Sequence, residues 1–141
     1  MCVLSCPLVM VGTLQALYEI RSSTGKAETD GLPDSTISEF LQIDPSLSRA
    51  IEEASVNFQS LINEMGDNLL SMNEGELSSF LQSDYVNFYS AATVNLAIAA
   101  RGPWIVTSHG AVIHDNGGYG MLGMGHGPDD VLHSMQQNWV M

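Results

Sequence analysis

The feature that most constrains this chain is the apolar pattern of residues 45–65. Apolar side chains recur there at steps of three and four residues, which places them on one face of an α-helix. Asp44 is placed to cap this helix, Pro45 falls at its first position, and Gly66 can adopt the left-handed conformation that ends helices. This is the best-marked helix of the chain. Its apolar residues are Leu47, Ile51, Ala54, Phe58, Leu61, Ile62 and Met65.

A second, shorter helix is predicted to begin near Ser71. Ser71 and Glu74 have the spacing of a capping box, in which each residue satisfies a free N–H of the first helical turn. An apolar stripe follows at helical spacing. Its members are Leu77, Phe80 and Leu81.

A β-hairpin is predicted over residues 104–114. Two β-prone runs flank His109 and Gly110, which have the character of a two-residue turn containing glycine. Beyond the hairpin, glycines crowd residues 117–127, so the backbone there has to bend sharply or approach another surface closely.

A last helix is predicted to start at Pro128. Asp129 and Asp130 then lie in its first turn, where the helix dipole favours negative charge. The side chains predicted to face inward from this helix are Val131, Leu132 and Met135.

Three parts are predicted along the chain. Residues 1–35 form an uncertain N-terminal segment, and its polar stretch at residues 22–35 should be a flexible linker because it offers almost nothing to bury. Residues 36–100 form a helical region. Residues 101–141 carry the hairpin, a glycine-rich loop and the start of the last helix. The expected fold class is α+β.

Charge and hydropathy exclude two kinds of partner. The chain has 16 acidic and 4 basic residues, a net charge of -12, so a nucleic-acid backbone or an anionic membrane would repel it. No apolar run approaches the ~20 residues of a membrane helix. Residues 1–12 lack the basic start and the cleavage site of a signal peptide. We expect a soluble cytoplasmic protein that binds neither nucleic acid nor membrane.

The order of elements in residues 101–135 resembles one family. A small hydrophobic hairpin closes on Asp115 and leads into a glycine-rich loop at residues 117–124, which is followed by Gly125, His126 and a helix started by proline. This order is similar to the beginning of class III aminotransferases, enzymes that depend on pyridoxal phosphate. The resemblance implies an α/β enzyme of fold type I, whose small domain is formed by both chain ends. This chain would supply an amino-terminal fragment of that small domain.

The resemblance also implies roles for particular residues. Tyr119 falls where some members of the family place an aromatic side chain that lines the substrate pocket, and its neighbours would share that wall. The implied substrate-binding residues are Tyr119, Gly120, Met121 and Leu122. Other positions match the turns and strand ends of the family and are implied to be structural. They are Gly110, Asp115, Gly125, His126 and Pro128.

The chemistry implied by the resemblance is amino-group transfer from an amino donor to a keto or aldehyde acceptor. A complete member holds pyridoxal phosphate on a lysine amine and forms its active sites in a homodimer. Lys26 is the only lysine here and precedes the family-like part. We therefore expect no catalytic residue in this chain, no cofactor bound by it alone, and two partners, the remainder of the enzyme and a second subunit.

Without those partners, apolar groups of the family-like part should face water and make the isolated chain sticky. Trp104, Ile113, Met121 and Leu122 are the residues concerned. The alternative function is a small acidic protein-interaction module without catalysis, in which the helix at residues 45–65 packs in a small bundle or against a partner.

Three other chemistries are disfavoured by spacing. The four histidines match no metal-binding signature, so no metal site is expected. The G-x-G at residues 118–120 follows a predicted hairpin and lacks the βαβ context of a dinucleotide fingerprint. Ser108 and His109 are adjacent, and neighbours in a strand point to opposite sides, which argues against a hydrolase.

Overall fold

The computed structural model of the chain describes residues 7–66, 71–82, 96–116 and 123–137. The fold in these residues is α+β, with helices packed on a small antiparallel sheet. None of the described helices is long and apolar enough to cross a membrane. In chain order the elements are α1 (Pro7–Ser23), α2 (Asp34–Ile43), α3 (Pro45–Met65), α4 (Glu74–Gln82), β1 (Ala97–Arg101), β2 (Trp104–Thr107), β3 (Val112–His114) and α5 (Asp129–Met135).

The helix predicted over residues 45–65 is confirmed as α3, and so are its two ends. The Asp44 side chain accepts a hydrogen bond from the backbone N–H of Ser46 at 2.9 Å, and Gly66 ends the helix with a φ of 75°. Its apolar face packs on β1, β2 and α1. Between Leu47 and Phe58 that face is covered by the chain itself. Its buried residues are Leu47, Ala50, Ile51, Ala54 and Phe58.

The predicted hairpin is confirmed as β2 and β3, with Trp104 opposite His114 and Val106 opposite Val112. Its turn differs from the prediction. Thr107 pairs with Ala111 through a backbone hydrogen bond of 3.0 Å, so the connection contains Ser108, His109 and Gly110 rather than two residues. Gly110 has a φ of 73°, a conformation that glycine adopts without strain, and a Cβ there would lie 2.7 Å from Cγ of Arg21.

Residues 36–100 were predicted to be a helical region, but the structure has a strand at the end of that region, where β1 begins at Ala97. β1 runs antiparallel to β2 and completes a sheet of order β1-β2-β3. Alanine favours helices, but its small side chain also lets α3 pack closely on the strand, and Ala99 is buried in that contact. Residues 97–101 form a strand because pairing with β2 supplies backbone hydrogen bonds, which the helix propensity of the individual residues does not include.

The N-terminal part contains a helix for which no signal was identified. Leu17 and Ile20 of α1 are buried in the common core, so the packing does not follow the proposed division at residue 35. The polar stretch after α1 is irregular, as predicted, yet it is fastened to the rest of the fold. Its Leu32 N–H donates to the Val112 carbonyl of β3 at 2.8 Å.

The start of α4 also differs from the prediction. Glu76 accepts from the backbone N–H of Asn73 at 3.2 Å, which is the capping-box contact two residues later than expected. Glu74 is instead buried and accepts from the N–H groups of Glu28 and Thr29, each at 2.8 Å, and from the Thr29 hydroxyl at 2.9 Å. Glu74 is therefore the residue that fastens the polar stretch to α4.

Two predictions about exposed and buried side chains are wrong. Leu132 and Met135 were predicted to face inward, but they are 41% and 65% exposed, and α5 has no buried residue. Trp104 was expected to face water, but it is buried because Phe40 of α2 covers it, with ring centroids 5.0 Å apart. The Trp104 indole also donates to the Asp44 carboxylate at 2.7 Å.

Candidate functional site at the base of the glycine-rich loop

The described chain on either side of residues 117–122 meets in one place, which we call the loop base, formed by Gly102, Asp115, Gly125 and His126. Asp115 follows β3, and its backbone N–H donates to the Pro103 carbonyl at 2.7 Å. Its carboxylate lies 2.9 Å from Nε2 of His126. Because a carboxylate accepts when ionised, Nε2 is the nitrogen that carries the hydrogen in this bond.

Backbone pairing fixes the second side of the loop base. His126 and Gly102 form an isolated antiparallel bridge, with N–H to carbonyl distances of 2.8 and 3.0 Å. Gly125 has a φ of 68°, and a Cβ there would lie 2.8 Å from backbone atoms of Gly102. Glycine is required at this position because both the backbone conformation and the close approach exclude a side chain. Both ends of the loop are thus fastened to the end of β1.

A group of charged side chains lies beside the loop base. Arg101 binds Glu53 of α3 through Nη2 and Nε, at 2.6 and 2.8 Å, and its Nη1 donates to the Gly127 carbonyl at 2.7 Å. Arg49 binds both carboxylate oxygens of Asp129 in α5, at 2.6 and 2.9 Å. These bonds tie the chain that follows the glycine-rich loop to α3.

The charges of this group are matched within it. Hydrogen bonds from Arg49 lower the pKa of Asp129, burial opposes that effect, and the charges of Arg49 and Arg101 lower the pKa further. The pKa of Arg101 is raised, first by its hydrogen bonds to Glu53. Asp129 therefore stays ionised, and Arg49 and Arg101 stay charged, around neutral pH. No particular pairing was predicted from the sequence, although a chain of net charge -12 with four cations offers each of them many acidic partners.

The structure brings together most of the residues that the family resemblance marks as structural. Asp115, Gly125 and His126 form the loop base, and Pro128 lies just beyond it, immediately before α5. Gly110 is not part of this site, because it lies in the turn at the opposite end of the hairpin. The predicted substrate-binding residues lie outside the described residues. They are Tyr119, Gly120, Met121 and Leu122.

The prediction that the side chains of Ser108 and His109 point to opposite sides of a strand is wrong. Both lie in the turn rather than in a strand, and Ser108 Oγ is 3.0 Å from Nδ1 of His109. His109 Nε2 lies 3.0 Å from the Met72 carbonyl, which can only accept, so Nε2 carries the hydrogen and Nδ1 accepts from Ser108. Both residues are buried, with exposed fractions of 3% and 1%. The pair ties the hairpin turn to the segment before α4 and is closed to a substrate.

Pyridoxal phosphate does not fit the described residues. A lysine amine has to reach the cofactor, and Lys26 is exposed in the polar stretch between α1 and α2, bonded through its backbone N–H to Asn73 and through its carbonyl to Glu74. Both cationic side chains beside the loop base, Arg49 and Arg101, are already matched by carboxylates. Among the described residues there is also no group of three potential metal ligands.

Comparison with family models, with curated proteins and with solved structures gave no match for this chain.

Proposed function

We propose that this chain is the amino-terminal part of a class III aminotransferase that depends on pyridoxal phosphate. Such an enzyme transfers an amino group from an amino donor to a keto or aldehyde acceptor. The part played by this chain is to present residues 117–124 as a wall of the substrate pocket. It has no catalytic residue of its own, and the chain alone is inactive.

The observation that carries the proposal is the construction of the loop base. The family-like order of hairpin, acidic residue, glycine-rich loop and Gly-His pair corresponds here to one connected set of contacts. Asp115 before the loop bonds to His126 after it, and Gly125 approaches Gly102 so closely that a Cβ would lie 2.8 Å from its backbone. A short loop with both ends fastened to a sheet is a suitable means of presenting side chains to a neighbouring surface.

The outer face of the chain beyond the loop supports the same proposal. Met124, Leu132 and Met135 have exposed fractions of 48%, 41% and 65%. These apolar side chains come from the glycine-rich loop and α5, and no described residue buries them. Apolar surface at this position suits contact with the remainder of an enzyme, namely the large domain and a second subunit.

The cofactor supplies the electron sink for amino-group transfer when it is bound. Lys26 lies in the polar stretch before α2, and both cations described beside the loop base, Arg49 and Arg101, are matched by carboxylates, so we assign the binding of the cofactor to other parts of the enzyme. The proposed contribution of this chain is restricted to shape and orientation: Asp115 and His126 hold the loop, and Tyr119 with its neighbours contacts the substrate. In the complete protein, the second subunit and the large domain supply the groups that hold the cofactor.

A two-part experiment tests the proposal. The nucleotide sequence adjoining the coding region is read for a continuation that encodes a lysine-bearing domain. The chain alone and the chain joined to that continuation are then purified with pyridoxal phosphate. We expect the absorbance band of lysine-bound cofactor and transaminase activity only in the joined protein. A band in the chain alone, or adjoining sequence unrelated to the family, would contradict the proposal.

The joined protein also tests the role of Tyr119. Tyr119→Ala should raise KM for the acceptor with a smaller change in kcat, because the ring contributes binding rather than proton transfer. Tyr119→Phe should keep most of the affinity, since it retains the aromatic surface. Tyr18→Ala is the matched control: Tyr18 is 46% exposed on α1 and bonds to Asp34 at 3.0 Å, away from the loop base. Equal effects of Tyr119→Ala and Tyr18→Ala would exclude the substrate role.

A further inference from the structure

Asn116 is an exposed residue that directly follows Asp115 of the loop base, and the residue after it in the sequence is glycine. It is the only asparagine of the chain that precedes a glycine. The nitrogen of the following peptide bond can attack the side-chain carbonyl carbon of an asparagine. Glycine at the next position presents no side chain that would hinder this approach.

His114 places a hydrogen-bond donor on the carbonyl that would be attacked. Its Nδ1 lies 2.5 Å from Oδ1 of Asn116. Because an amide oxygen can only accept, Nδ1 carries the hydrogen. Attack on the amide carbon transfers negative charge to Oδ1, and a donor already aimed at that oxygen stabilises the charge as it develops.

The imidazole of His114 is held in place although the residue is exposed. Its ring lies edge-on to Trp104, with centroids 4.7 Å apart, and stacks with Phe40 at 6.3 Å. Trp104 is buried and fixed through its indole bond to Asp44. A ring packed on a fixed aromatic surface keeps its donor oriented. Asn116 on the other side of the bond is open to the water that the reaction consumes.

We propose that His114 and Asn116 form a self-modification site at which Asn116 is converted to aspartate and isoaspartate. The backbone nitrogen after Asn116 loses its proton to water and bonds to the side-chain carbon, with the negative charge on Oδ1 facing His114. The bond from that carbon to Nδ2 then breaks, and Nδ2 takes a proton from water and leaves as ammonia. Water opens the resulting cyclic imide at either carbonyl, so the net change consumes one water and releases one ammonia.

The modification changes the entrance to the glycine-rich loop. Each product carries a carboxylate next to Asp115, whose own carboxylate is bonded to His126. The isoaspartate product also lengthens the backbone by one carbon directly after the loop base. Both changes act where the chain leaves β3, whatever function the loop serves, so this inference does not depend on the proposed function.

Peptide mass spectrometry of the full chain tests the site. The protein is incubated at neutral pH in water labelled with heavy oxygen, and the conversion of each asparagine is followed together with an isoaspartate-specific methylation assay. We expect Asn116 to gain label faster than Asn57 and Asn63 of α3, which serve as internal controls in the same digest. Conversion of Asn116 no faster than these two would overturn the proposal.

Variants of His114 test the role of the donor. His114→Phe keeps the ring packing and removes the donor, and the rate of conversion should fall about 2- to 10-fold, the size of one ordinary hydrogen bond. His114→Gln keeps an N–H donor and should retain most of the rate. Circular dichroism checks that each variant is folded, with His114→Leu as a second variant without a donor. Equal rates in wild type and in the folded variants that lack the donor would exclude the role of His114.

Discussion

The helices α3 and α5 are held by different forces. α3 buries Leu47, Ile51 and Phe58 under a sheet and a second helix, and little of that face touches water. α5 buries no side chain. It is attached through an ion pair between Arg49 and Asp129, whose side chains are 48% and 60% exposed, respectively. The first attachment depends on apolar area removed from water, and the second on charges that water and salt can screen.

The fold and the candidate site therefore draw on separate sources of stability. Changes in the α3 core should unfold the whole molecule. Changes around α5 should loosen the chain after the loop base and leave the rest folded, because local opening needs only the contacts that it breaks. Three measurements test this difference.

The largest effect is expected from truncating the core. Phe58→Ala removes a ring that is 2% exposed and should lower the free energy of unfolding by about 3–5 kcal/mol. Met135→Ala in α5, at 65% exposure, should change it by less than about 0.5 kcal/mol. Urea unfolding followed by circular dichroism compares the two. Similar losses from both variants would mean that α5 belongs to the same cooperative core.

A smaller effect on the free energy of unfolding is expected when the pH is lowered and Asp44 becomes protonated. Burial acts to raise the pKa of Asp44, but hydrogen bonds from Trp104 and Ser46 outweigh it and hold the pKa below its usual value. A carboxyl whose pKa is lower in the folded than in the unfolded chain stabilises the fold above about pH 4, and this stabilisation is lost as the pH falls through the folded pKa.

Asp44→Asn tests this expectation. It should cost about 1 kcal/mol at neutral pH, and its difference from the wild type should shrink as the pH is lowered towards about 3. Urea midpoints measured across that range give the result, with Asp130→Asn in α5 as the exposed control. A difference between Asp44→Asn and the wild type that stays constant down to low pH would contradict the assignment.

The smallest effect on global stability is expected from Arg49→Gln, which removes the two hydrogen bonds from Arg49 to Asp129 and leaves the 3.4 Å contact from Arg101. Unfolding should change by less than about 0.5 kcal/mol, since exposed pairs contribute little. The amides of α5 should nevertheless exchange with solvent faster, and salt at about 1 M should act in the same direction. Asp34→Asn, which weakens the pair with Arg21 at the start of α2 and does not touch α5, is the control. Unchanged exchange in α5 would show that another contact holds it.

Much of α3 and the hairpin could be predicted because their signals are local. Asp44, Pro45 and Gly66 mark the ends of one helix within its own sequence, and two β-prone runs close together indicate a hairpin. β1 was missed because an alanine-rich run carries no strand signal, and its structure depends on β2. α1 was missed for a related reason, since its buried residues are covered by elements far along the chain.

The candidate site was predicted in part. The family resemblance implied that Asp115, Gly125 and His126 are structural residues, and the structure places all three at the loop base. The bond between Asp115 and His126 could not be read from spacing, because it depends on how the chain returns to Gly102. Likewise, the spacing predicted Glu74 to be a capping residue, but its carboxylate accepts hydrogen bonds from Glu28 and Thr29 instead. Such contacts are decided by three-dimensional proximity and not by sequence distance.

The bond between Arg21 and the hairpin turn has a consequence for synthesis on the ribosome. Nε of Arg21 donates to the Gly110 carbonyl, 89 positions later in the chain. At about 5–20 residues per second, the ribosome needs roughly 4 to 18 s to make that interval. During those seconds the apolar face of α1, with Leu17 and Ile20, lacks its final cover. Nascent chains of this protein are therefore open to chaperone binding until the hairpin has emerged.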